Sequence, residues 1–93
     1  MAAINNLSDK FEKKEAEDTN RAIDNMRWTI LEFANSIRDG KCFDEENYIH
    51  LVELYQEYEQ ILKANNLENG RVTASMKIIN ERYERGLREG FPI

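Results

Sequence analysis

The chain carries one proline, Pro92, and four glycines at positions 40, 70, 86 and 90. From Ala2 to Asp39 it meets neither of the two residues that most strongly interrupt a helix. Proline removes a backbone donor, and glycine adds backbone entropy that folding must overcome. This scarcity of breakers points to an all-α fold. With 93 residues the chain makes one small domain with a thin core. Four Phe, four Tyr, one Trp and many branched aliphatics are available to fill that core, so the high charge content does not imply disorder.

Apolar spacing divides the chain into helices. Ala16, Thr19, Ile23, Met26, Ile30, Phe33 and Ile37 recur at intervals of three and four, the seam of an amphipathic helix in a bundle or coiled coil. Trp28 and Leu31 lie off this seam and widen the apolar face, which a single helical partner would not cover. Gly40 supplies the stop, with Arg38 in the last turn. Residues 1–15 are polar and of mixed charge, and are expected as an arm or a frayed helix start.

"FDEEN" is the start of a second helix. Asp44 is the expected N-cap, Glu45 and Glu46 suit the first turn, and Phe43 is placed to staple onto Tyr48. The helix is expected from Glu45 to Ala64, with Tyr48, Leu51, Tyr55, Tyr58 and Leu62 inward and Val52, Leu54 and Ile61 on its flanks. "ANNLENG" reads as a turn in which Leu67 tucks back into the core. A third helix is expected from Arg71 to Leu87, with Val72, Met76, Ile79, Tyr83 and Leu87 inward. Residues 89–93 form a tail whose Phe91 and Ile93 either dock or stay free. The expected architecture is a three-helix bundle over residues 16–88. Its long first helix packs antiparallel to the second, and the chain self-associates as a dimer.

The formal net charge of −5 argues against direct nucleic-acid binding, which needs Lys and Arg to displace counterions from phosphate. No apolar run reaches the length of a membrane span. Cys42 is the only cysteine and reads as a small apolar residue near a helix junction in a reducing, cytoplasmic setting. His50 shares a helix face with Glu46 and Glu53, a set that would hold a divalent ion weakly. A solvated helix face accounts for the same three residues, and there is no second histidine to complete a di-metal bundle site. Neither a phosphate loop nor a nucleophile motif occurs. The expectation is a non-enzyme with no cofactor and no metal.

Charge is distributed unevenly. Asp44, Glu45, Glu46, Glu53, Glu57 and Glu59 fall between Cys42 and Leu62, where there is no Lys or Arg. The third helix holds Arg71, Lys77, Arg82, Arg85 and Arg88 beside Glu81, Glu84 and Glu89. These flanks suit two helices that pack together. Alternatively, Glu53, Glu57 and Glu59 face a basic partner, with carboxylates in the place of phosphates. Tyr48, Tyr55 and Tyr58 are expected in the core with hydroxyls at its wet edge. With Trp28 and Leu31 they are also the aromatic and apolar candidates for an interface.

The succession "IRDGKCF", "DEENY", "LYQEYEQIL", "NNLENG" and "SMKIINERY" resembles a class of small helical proteins from phages and prophages of Gram-positive and gut bacteria. The markers are Asn47, Leu54, Tyr55, Tyr58, Asn69 and Gly70, within residues 26–87. The resemblance implies a phage-derived accessory protein that works by binding a host or virion protein, and it carries over no catalytic residue. Two alternatives stand beside it, a structural phage protein assembling with itself and an acidic mimic that blocks a nucleic-acid channel.

Overall fold

Three apolar seams of helical period close on one another in the computed structural model, which describes residues 2–68 and 72–93, with side chains from Glu17 onward. Helix α1 spans Ala2–Arg38, α2 spans Glu45–Ala64 and α3 spans Thr73–Glu89, and each packs against the other two. The expected Asn69–Gly70 turn and Arg71 helix start fall on 69–71, outside the described residues. At ~1.5 Å per residue α1 is about 55 Å long, and it outruns its two partners in a molecule 65 Å by 19 Å by 19 Å.

The core is Ile23, Ile30, Ala34 and Ile37 from α1, Tyr48, Leu51, Tyr58 and Leu62 from α2, and Val72, Met76 and Ile79 at the third seam. A fully buried large apolar side chain contributes about 1.5–3 kcal/mol relative to exposure, so these eleven positions define the bundle. Met26, Phe33, Leu54, Tyr55, Ile61 and Tyr83 pack at its margin, half-buried. The helix directions follow from who meets whom. Arg27 bonds Tyr58 while Phe33 meets Tyr48, so α1 and α2 run antiparallel.

Both helix ends before α3 use the same device. The Lys41 N–H donates to the Ser36 carbonyl at 2.9 Å and Gly40 N–H to that of Ile37 at 3.0 Å, with Gly40 at φ +89°. At the end of α2, Leu67 N–H donates to Leu62 at 2.9 Å and Asn66 N–H to Lys63 at 3.2 Å, with Asn66 at φ +54°. Each is a Schellman pair, in which a left-handed residue lets two otherwise unpaired carbonyls find donors. Helix α2 begins as expected. Asp44 is extended at the N-cap, and the Asn47 side-chain oxygen accepts its N–H at 3.2 Å. Phe43 meets Tyr48 edge to face at 6.3 Å between centroids, which is the hydrophobic staple.

Two inward assignments do not hold. Leu67 is 46% exposed, because its part in the α2 ending is played by its N–H while its side chain points to solvent. Leu87 is 58% exposed, because the tail reaches the bundle first. The Phe91 ring lies directly over buried Gly86, where a Cβ would overlap that ring. Ile93 then exchanges two main-chain bonds with Phe43, N–H to oxygen at 2.8 and 3.0 Å. The Phe91–Pro92 peptide is cis.

Candidate interaction site

The six carboxylates of the acidic stretch arrive on one helix because α2 is uninterrupted from Glu45 to Ala64. Asp44, Glu45, Glu46, Glu53, Glu57 and Glu59 are all exposed. Among the described residues none of them pairs with a base. The ion pairs there, Arg27–Asp24 at 3.7 Å and Arg85–Glu89 at 2.7 Å, each lie within one helix. No ion pair therefore joins the α2 and α3 flanks among the described residues. Arg82 and Arg85 instead line the other side of α3, in a groove of about 390 Å³ shared with Ile37 and Arg38 of α1 and with Ile78 and Glu81. Helical period explains the outcome. Arg82 and Arg85 follow Ile78 by four and seven residues and so share its α1-facing flank.

The aromatic candidates separate by depth. Tyr48 and Tyr58 have no exposed surface and belong to the core, while Tyr55 is half-buried with its ring 6.1 Å from that of Tyr58. The hydroxyls of the two buried tyrosines are not left to water at the edge, contrary to expectation. Tyr58 accepts the Arg27 Nε–H at 2.8 Å, and Tyr48 donates to the Ile93 main-chain oxygen at 2.7 Å. Burial pushes the Tyr48 hydroxyl pKa above its ordinary value, against a lowering by the Arg82 charge and with a smaller rise from Cys42.

The pair Trp28 and Leu31 also separates. Leu31 is half-buried against the core, whereas Trp28 is 65% exposed. Trp28 follows Ile23 by five residues, which turns it to the side of α1 opposite the buried seam. Asp24 and Glu32, four residues before and after it, are exposed, and the half-buried Leu31 lies between the indole and the core.

Cys42 sits at the helix junction, as expected, and its side chain is exposed. His50, Glu46 and Glu53 are exposed on α2, and the described residues contain no group of three or more His, Cys, Asp or Glu placed to hold a metal. Among the described residues no helix is long and apolar enough to cross a membrane. Where α2 ends against α1, an open groove of about 460 Å³ is lined by Thr19, Ala22, Ile61 and Ala64 among others.

Sequence reasoning missed a cluster at the opposite end of α2. The Phe33 and Phe43 rings stack at 4.1 Å, Phe33 meets Tyr48 at 5.3 Å, and Tyr48 stacks on Tyr83 at 5.9 Å. Phe91 completes it, 5.7 Å from Tyr48 and 6.2 Å from Tyr83. Aromatic pairs in this distance range contribute beyond their buried area. Gly86 was the available signal, since a glycine within a helix marks a possible close approach. No family model matches the chain, and no curated protein or solved structure is significantly similar to it.

Proposed function

We propose that the chain is a non-enzymatic protein-binding module, a phage-encoded accessory protein that acts on a host or virion protein in the bacterial cytoplasm. The observation that carries this reading is Trp28, 65% exposed on the outward side of α1. A largely exposed indole is the residue type that anchors protein interfaces, since it brings wide contact area at low entropic cost. Its first use is self-association into a dimer. Trp28 is the only tryptophan, so its fluorescence reports this site alone. On concentration or addition of a partner its emission should shift to the blue, and Trp28→Ala should abolish the association seen by light scattering. Unchanged association of Trp28→Ala would defeat the reading.

A second reading is supported by the carboxylates of α2, which form no ion pair among the described residues. With Arg82 and Arg85 turned toward α1, the acidic surface is free to face the basic channel of a host or defence protein. Such an interaction is steered by charge and weakens with salt. Changing Glu53, Glu57 and Glu59 to Gln should abolish capture of a basic partner under this reading and leave it intact under the first.

A further inference from the structure

Residues 90–93 are held the way a receptor holds a peptide. Three kinds of recognition converge on them. The Phe91 ring fills a notch made by the missing side chain of Gly86 and is walled by Tyr48 and Tyr83. Ile93 exchanges both main-chain bonds with Phe43, at 2.8 and 3.0 Å, the pairing by which an added extended segment joins an exposed backbone. The Tyr48 hydroxyl, on a side chain with no exposure of its own, donates to the Ile93 oxygen at 2.7 Å.

The bound segment is small and its hinge is open. Gly90 is exposed at φ +99°, with no atom within 4 Å of where a Cβ would stand. Phe91 and Ile93 are half-buried, whereas Tyr48 beneath them is fully buried. The segment is the outer layer of this contact, and Tyr48 is fully covered with it in place.

We propose that the cleft formed by Phe43, Tyr48, Tyr83 and Gly86 is a peptide-binding site that residues 91–93 occupy in cis. Its other occupant is an extended segment of a different protein, carrying an aromatic side chain followed two residues later by a branched aliphatic one. The aromatic enters the Gly86 notch, and the aliphatic residue pairs its backbone with Phe43. The cis segment competes from a short tether, at an effective concentration of order millimolar, so it acts as a latch on the site. This site shares no residue with Trp28 or with the acidic surface of α2, and either can fail without the other.

Two measurements on the full chain test it. In the unsubstituted protein, native-state hydrogen exchange should release the Phe43 and Ile93 amides through local opening, well before the Ile79 amide. The second uses the blocked peptide Gly-Phe-Pro-Ile, titrated into a variant carrying both Phe91→Ala and Ile93→Ala. The peptide should shift the resonances of Phe43, Tyr48, Tyr83 and Gly86 at about tenfold lower concentration than in the unsubstituted protein. Adding Gly86→Val to that variant should remove the response. The proposal is overturned if the folded variant shows no shifts at these residues, or if the Phe43 and Ile93 amides exchange only with global unfolding. Should the variant lose its helical circular dichroism, the Phe91→Ala single variant takes its place in the titration, with the same outcomes deciding.

Discussion

Arg27 on α1 donates its Nε–H to the hydroxyl oxygen of Tyr58 on α2 at 2.8 Å, so a tyrosine with no exposed surface is satisfied by a cation at the bundle margin. The two partners are not equivalent. Tyr58→Phe leaves a guanidinium that water can reach, and should cost about 1 kcal/mol. Arg27→Leu leaves a buried hydroxyl without its donor and should cost more, about 1–3 kcal/mol. Urea denaturation of the two variants checks the order, and equal losses would show that the hydroxyl finds another partner.

Gly86 offers a change of sign. Alanine in a helix interior is favoured over glycine by about 1 kcal/mol. Here the added Cβ would overlap the Phe91 ring, and overpacking of this kind costs typically about 1–3 kcal/mol. Gly86→Ala should therefore destabilise the protein, yet stabilise a Phe91→Ala/Ile93→Ala background, which also removes the Ile93 Cγ2 atom from the Cβ position, by up to about 1 kcal/mol. Thermal unfolding of the four chains of this cycle measures the coupling. Additive effects would mean that the ring does not press on Gly86.

The two helix endings respond oppositely to substitution. Gly40 at φ +89° has open space around it, so Gly40→Ala meets only backbone strain and should lose about 1–2 kcal/mol. Asn66 at φ +54° occupies the same role in α2, and Asn66→Gly should gain a few tenths to about 1 kcal/mol. Denaturant midpoints at constant slope would establish both.

Tyr48 predicts an alkaline limit. Its folded pKa is raised above the unfolded value of 10.0. Below that pH both states keep the proton and the hydroxyl's contribution is fully present. As pH rises past it, the unfolded chain ionises first, and stability falls until the folded pKa is passed. An ultraviolet titration should find Tyr48 ionising late, together with loss of helix. In Tyr48→Phe the alkaline slope of stability should flatten.

Much of the fold was legible because large apolar residues at threes and fours mark a buried stripe wherever they occur. Ile23, Ile30, Ile37, Tyr48, Leu51, Tyr58, Leu62, Val72, Met76 and Ile79 were all recognisable in this way, as were the Asp44 start and the Gly40 stop. Ala34 escaped notice because a small side chain carries little apolar signal, and is buried only by the close approach of neighbouring helices. Leu87 continues the α3 spacing, but periodicity describes a helix without its surroundings, and Phe91 had already covered that end. The candidate site was legible in part. Trp28 stood off its seam, as the spacing indicated, whereas charge composition alone did not reveal that Arg82 and Arg85 turn to α1. Direction depends on packing angle, which single-helix patterns do not encode.

The Tyr48 hydroxyl and its acceptor on Ile93 are 45 residues apart, whereas Arg27 and Tyr58 are 31 apart. Closing the longer loop demands more chain entropy, so docking of Phe91 and Ile93 should be the late event in assembly. In kinetic terms, Phe91→Ala should accelerate unfolding and leave the folding rate nearly unchanged, while Ile30→Val should slow folding. Stopped-flow measurements in urea would separate the two. The last three residues would then govern how long the native state survives rather than how quickly it is reached.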